Sequence, residues 1–207
     1  IMPSHTYIAS AAAAHFVGAV PILAECGSDN MLDPDDIEKR ITKKTKAIMA
    51  VQINGRCCDM DKLIKISQKY NLLLIEDAAQ AFGAKYNGKN AGSFGEFGTF
   101  SFYPAKLLGC FGDGGAIVTD DNVLANKLRL LRDHGRNDEG EVVEWGFNSR
   151  LDNLQAAILN KKLENFDRDI NRRREIASRY NDQLGMLANV KLPPGPKDNQ
   201  KYFDVFQ

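Results

Sequence analysis

Short apolar runs alternate with amphipathic stretches through most of the chain. The runs VPILAE (20–25), KAIMAVQI (46–53), NLLLIE (71–76), GTFSF (98–102) and GAIVT (115–119) predict strands. NLLLIE has no polar alternation, which predicts a strand covered on both faces. Between the runs lie helical patterns. DPDDIEKRI (33–41) places Asp33 as a cap and Pro34 at the first helical position. DMDKLIKISQKY (59–70) gathers Leu63, Ile64 and Ile66 near one face behind a cap at Asp59. DNVLANKLRLLRDHG (121–135) ends in the stop signal His134-Gly135. YIASAAAAHFVGAVPIL (7–23) reads as a buried helix running into a strand.

Strand, helix, strand, helix predicts an α/β fold: three layers, α/β/α, with a mostly parallel sheet. From Ser149 the pattern becomes long, charged and helical, with Ser149 and Asp152 forming a capping box and a break near Asp167. RRR (172–174) reads as a solvated helix face, and LPPGPKDNQ (192–200) as a loop or linker. Ile1 opens in mid-element and KYFDVFQ (201–207) reads as the start of a strand, so the chain is expected to be an excerpt of a longer protein. Two parts are expected. Residues 1–165 form a large domain incomplete at its amino end, and 166–207 form a helix and linker beginning a smaller, truncated carboxyl-terminal domain.

Composition narrows the function classes. Twenty-seven basic residues balance 27 acidic ones, which removes any general pull toward nucleic acid or acidic lipid. No stretch is apolar and long enough to predict a membrane span, and no secretory signal is visible. Cys26, Cys57, Cys58 and Cys110 match no metal spacing and read as reduced thiols of a cytoplasmic protein. His5, His15 and His134 do not cluster, so no metal site is expected.

In an open α/β sheet, ligands sit beyond the carboxyl ends of the strands. NLLLIEDAAQ puts Glu76, Asp77 and Gln80 at one such end, and GTFSFYPAK puts Ser101 and Lys106 at another. Together they meet the needs of pyridoxal phosphate: a lysine for the Schiff base, an acid for the ring nitrogen, and polar groups for the phosphate. GDGGA (112–116) lacks the spacing of a nucleotide-binding glycine loop and reads as a tight turn into the next strand.

Three blocks carry a resemblance: IEDAAQAFGAKYNGKNAGSFGEFGTFSFYPAKLLGCFGDGGAIVTDD (75–121), GFNSRLDNLQAAIL (146–159) and MPSHTYIASAAAAHFVGAVPI (2–22). Together they closely resemble the DegT-type sugar aminotransferases, of fold-type I among the pyridoxal phosphate enzymes. The resemblance implies roles. Lys106 is the Schiff-base lysine and the catalytic base and acid. Asp77 partners the pyridine nitrogen, Gln80 the ring's hydroxyl side, and Ser101 the phosphate. Tyr7 stacks on the ring. Asn148 is a phosphate ligand given to the neighbouring subunit of a homodimer, and Arg150 reaches the same shared site to meet an acidic group of the substrate. INGRCCDMD (53–61) departs from the Tyr-Gly and small residues common in relatives, and Cys57 and Cys58 there read as tolerated loop residues.

The implied activity transfers an amino group, from glutamate, to a nucleotide-linked keto-sugar in amino-sugar and polysaccharide biosynthesis. The form NSRLDNLQAA leans toward members acting on 3-keto sugars, with 4-keto sugars open. Dehydratase relatives replace the lysine with histidine, so Lys106 argues against that branch. Two rivals stand beside this reading. One is a non-catalytic regulatory or scaffold member, which has no need of Asp77, Gln80, Ser101 and Lys106 together. The other is a desulfurase, whose catalytic cysteine needs a flexible loop that Cys110 does not have.

Overall fold

The computed structural model describes residues 1–193, 195 and 201–207. A four-stranded sheet organises the chain, in the order β3 (Ala47–Val51), β4 (Leu73–Asp77), β7 (Phe97–Ser101), β8 (Gly115–Val118). The first three strands run parallel, with Ala47 beside Leu73 and Ile75 beside Phe97. Strand β8 returns antiparallel along β7, pairing Ser101 with Gly115. Two short strands, β1 (Met2–Pro3) and β2 (Leu23–Ala24), pair in parallel, and Ile1 bonds to the backbone of β3. A second small sheet joins β5 (Lys85–Tyr86), β6 (Lys89–Asn90) and β9 (Tyr202–Phe203). The fold is α/β with a mostly parallel sheet, as expected.

Local signals set the helices. Helix α2 (Pro34–Arg40) starts where the Asp33 carboxylate accepts the Asp35 N–H, at 2.9 Å. Helix α3 (Met60–Tyr70) is capped by Asp59, and α4 (Asn122–Arg132) by Asp121, which accepts from Val123 and Leu124. Helix α4 stops at His134 and Gly135, both at positive φ. Beyond it, α5 (Asn153–Leu163) and α6 (Phe166–Leu184) follow one another. The Ser149–Asp152 capping box does not form. Asp152 is the N-cap without a side-chain bond, and the Ser149 N–H is already engaged by the Arg132 carbonyl. The break falls at Glu164–Asn165, just before the expected Asp167. Residues 194 and 196–200 of the expected linker lie outside the described residues.

Alternation along the strands divides the sheet into two faces. Ile48, Ala50, Leu74 and Glu76 point to a core built with Ile37 of α2 and Met60, Leu63 and Ile66 of α3. Phe166 and Ile170 of α6, with Val205, pack on the same core. Met49, Ile75, Asp77, Phe97, Thr99 and Ser101 face a large open cleft. This corrects the expectation that β4 is covered on both faces: Leu73 is 53% exposed. It also corrects the buried reading of residues 7–23. In α1 (Ile8–Phe16) only Ser10 is buried, while Phe16 and Val17 stand exposed, because the helix flanks the cleft and no described residue covers its outer side. Arg173 and Arg174 are not a solvated face either. They donate to the carbonyls of Phe206 and Asp204, and Arg174 lies over the Phe203 ring. Cys57 and Cys58 lie in a loop, as expected, but are members of the core.

Candidate active site

The cleft, of about 1770 Å³, opens where β3, β4 and β7 end. Five of the seven residues singled out above line it: Tyr7, Asp77, Gln80, Ser101 and Lys106. They come from separate stretches of chain, so their convergence is a property of the fold.

Asp77 is the last residue of β4 and points into the cleft, while its neighbour Glu76 points the other way. One Asp77 oxygen accepts the Ser10 hydroxyl at 2.7 Å, and the other accepts the Ala79 N–H at 3.2 Å. Gln80 follows in the turn after β4. Its Oε1 accepts the Asn54 N–H at 2.6 Å, which leaves its amide N–H₂ to donate elsewhere. Asn54 itself is at positive φ, held in the tight turn after β3. Tyr7 is the N-cap residue of α1, and its ring is 73% exposed at the cleft wall.

Ser101 ends β7, and Lys106 sits in the loop that joins β7 to β8. That loop is pinned at its neck: the Phe102 N–H bonds the Gly114 carbonyl, and the Cys110 N–H bonds the Phe102 carbonyl, each at 2.8 Å. The single S–H of Cys110 lies within reach of two carbonyls, those of Phe102 and Gly112. Helix α5 braces the far side. Gln155 accepts from the Phe111 N–H and donates to the Phe111 carbonyl, and Lys162 donates to the Gly109 carbonyl. Lys106 is half-buried, with its own N–H bonded to the Tyr103 carbonyl at 2.8 Å. No acid among the described residues pairs with its ammonium. An unpaired amine on a flexible stem opposite a fixed carboxylate suits a ligand that carries both an aldehyde and a protonated ring nitrogen.

Asn148 and Arg150 do not line the cleft of their own chain. Asn148 sits opposite Asp133 in an isolated bridge, and the Arg150 guanidinium bonds the Asp133 carboxylate. Arg136 and then Arg150 hold that carboxyl below its ordinary range. Among the described residues no cluster of three metal-ligating side chains exists, and no helix is long and apolar enough to cross a membrane.

Sequence reasoning missed Ser10, Thr6, Gln52 and Gln155. Ser10 and Thr6 stand in and before an alanine-rich helix, where a small hydroxyl reads as filler. Gln52 and Gln155 act through the backbone and carboxylates of distant segments, which no local pattern announces.

Known proteins are similar to this chain over nearly its whole length. A dTDP-3-amino-3,6-dideoxy-α-D-galactopyranose transaminase from Aneurinibacillus thermoaerophilus is 52% identical over 93% of this chain and 52% of its own. DesV of Streptomyces venezuelae, solved in complex with a ketimine intermediate, superposes with a TM-score of 0.93 at 43% identity, over 99% of this chain and 55% of its own. NtdA from Bacillus subtilis, solved with bound cofactor PMP, gives 0.88 at 34% identity, over 99% and 47%. The chain spans about half the length of the curated relatives it matches. Residues 1–206 match the family profile, and the chain belongs to the DegT/DnrJ/EryC1/StrS aminotransferase family.

Proposed function

We propose that this chain carries the cofactor site of a pyridoxal phosphate-dependent aminotransferase. The enzyme moves an amino group, from L-glutamate, to a nucleotide-linked keto-sugar in amino-sugar biosynthesis. One observation carries the reading: Lys106 and Asp77 meet across one cleft with Gln80, Ser101 and Tyr7 around them. The names of similar proteins, such as the dTDP-3-amino-sugar transaminase, support a sugar substrate and favour amination at the 3-position.

When bound, the cofactor supplies an electron sink for the carbanion left by proton removal. The protein's own groups do the rest. Lys106 would take a proton from the donor's α-carbon as general base and then, as general acid, deliver it to the carbon of the cofactor that had borne the aldehyde. Asp77 keeps the ring nitrogen protonated by ion pairing, Gln80 donates to the ring's oxygen, and Ser101 donates to the phosphate. Tyr7 covers one face of the ring and keeps water from it.

Asn148 and Arg150 complete the site of a neighbouring subunit in a cytoplasmic homodimer. Their position outside their own cleft fits that role. So does the apolar surface around them, where Trp145 is 94% exposed and Phe147 72%. Residues 1–165 form the cofactor-binding part, and 166–207 lead into a second, smaller domain.

The test uses the full-length protein, pyridoxal phosphate and glutamate. The wild type is expected to bind the cofactor with a visible absorption band that glutamate bleaches toward the near ultraviolet. Lys106→Ala is expected to lack both the band and the response. A wild-type protein with no cofactor band sinks the proposal.

A further inference from the structure

Ser10 is the single buried residue of α1, at 4% exposed. Its hydroxyl has one proton, and a carboxylate only accepts, so Ser10 donates to Asp77 at 2.7 Å. The Thr6 hydroxyl lies 2.7 Å from the Ser10 oxygen and donates to it in turn. The result is a directed chain, Thr6 to Ser10 to Asp77. Among the described residues it is the only side-chain hydrogen bond that ties α1 to the central sheet. The rest of the helix is loosely held, with Ile8 70% and Phe16 84% exposed.

The same helix begins at Tyr7, three residues before Ser10, so the two side chains share the cleft face. The Tyr7 side chain makes no cap bond of its own. Its place over the cleft is therefore set by the two ends of the segment that carries it: Ser4, whose N–H bonds the Ala24 carbonyl, and Ser10, which fastens α1 at Asp77. With Ser10 on one carboxylate oxygen and the Ala79 N–H on the other, the carboxyl plane is fixed while lone pairs remain free toward the cleft.

We propose that Ser10 is a positioning residue of the cofactor site: its hydroxyl sets both the plane of the Asp77 carboxylate and the height of the Tyr7 ring. Thr6 supports it by fixing the direction of that hydroxyl. This rests on the reading of Asp77 given above. A cofactor ring held between an acid at its edge and an aromatic on its face senses both through one bond. Losing the bond loosens two contacts at once.

The experiment compares full-length wild type with Ser10→Ala, Ser10→Thr, Thr6→Val and Asp77→Asn. Three quantities are read: the dissociation constant for pyridoxal phosphate, the visible circular-dichroism band of the bound cofactor, and the thermal midpoint without cofactor. Ser10→Ala is expected to weaken binding by about tenfold or more and to diminish the dichroic band. Ser10→Thr, which keeps the hydroxyl, is expected to restore both, and Thr6→Val to fall between. Asp77→Asn is expected to lose more than any of them. If Ser10→Ala keeps wild-type affinity and dichroism while Asp77→Asn loses them, Ser10 has no positioning role and the aminotransferase reading stands. Failure of Ser10→Thr to rescue also overturns the proposal, since bulk rather than the hydroxyl then matters. If Asp77→Asn itself changes nothing, the reading of the site falls. Should Ser10→Ala not fold, Thr6→Val decides: unchanged affinity and dichroism there overturn the relay.

Discussion

Among the described residues near the cleft, Glu76 concentrates more side-chain hydrogen bonds than any other, yet it faces away from it. It is fully buried and accepts from the Gln52 amide, from Gly92 at 2.8 Å, and from the N–H groups of Phe94 and Gly95. Gln52 spends its other end on the Cys58 N–H. The acid thus ties the loop before β7 to β4, which ends in Asp77, and to the turn after β3, whose Asn54 holds Gln80. An amide at this position offers two donors to groups that already donate. Glu76→Gln is therefore expected to destabilise the full-length protein by about 3 kcal/mol, read from equilibrium unfolding in urea. Asp77 and Lys106 were legible in the sequence because their chemistry is spelled out by residue type at a strand end. Ser10 was not, because its partner lies 67 positions away and a serine among alanines carries no mark.

The helices show where local reading holds. Asp33 and Asp59 were legible as caps because the N–H groups they satisfy lie within three residues; Asp121 caps α4 in the same way. The Ser149–Asp152 box had equal local support and failed, because a non-local partner, the Arg132 carbonyl, takes the Ser149 N–H. The strands β1 and β9 have two residues each and exist through distant pairing, so no periodicity could reveal them; β5 and β6 pair locally across the Asn87-Gly88 turn, a hairpin signal that the alternation of apolar runs passes over. Asp133, at the end of α4, makes a pH-dependent join between that helix and the segment before α5. Arg136 and Arg150 depress its carboxyl, so it contributes stability above the ordinary carboxylate range and loses it as pH falls through the folded value. Amide exchange at Arg136 and Ser149, whose N–H groups bond the Asp133 and Arg132 carbonyls, is expected to quicken below pH about 4, with Asp133→Asn showing the quickened exchange already at neutral pH.

The mostly parallel α/β sheet was legible because alternation of strand and helix leaves few ways to pack. What was not legible is how unequally the two sheet faces are covered. Apolar residues such as those of α1 carry the same pattern whether a neighbour covers them or not. The thiols report the covered side. Cys57, Cys58 and Cys110 are buried, Cys26 is half-exposed, and burial pushes the Cys58 thiol up to about 12. At pH about 8 a thiol-specific reagent is expected to modify Cys26 alone in the folded protein. All four are expected to react after denaturation. Rapid native labelling of Cys58 would contradict the packing of α3 on β4.

The back-to-back acids of β4 have a consequence for how the sheet finds its alignment. A slip of one residue exchanges the faces of a strand, and here it would still leave a carboxylate in each environment. The charge pattern alone does not reject that decoy. Side-chain length does. The longer glutamate spans to four donors in the core, and the shorter aspartate leaves room for a ligand in the cleft. One methylene group therefore separates the productive alignment from a misassembled sheet that looks chemically complete.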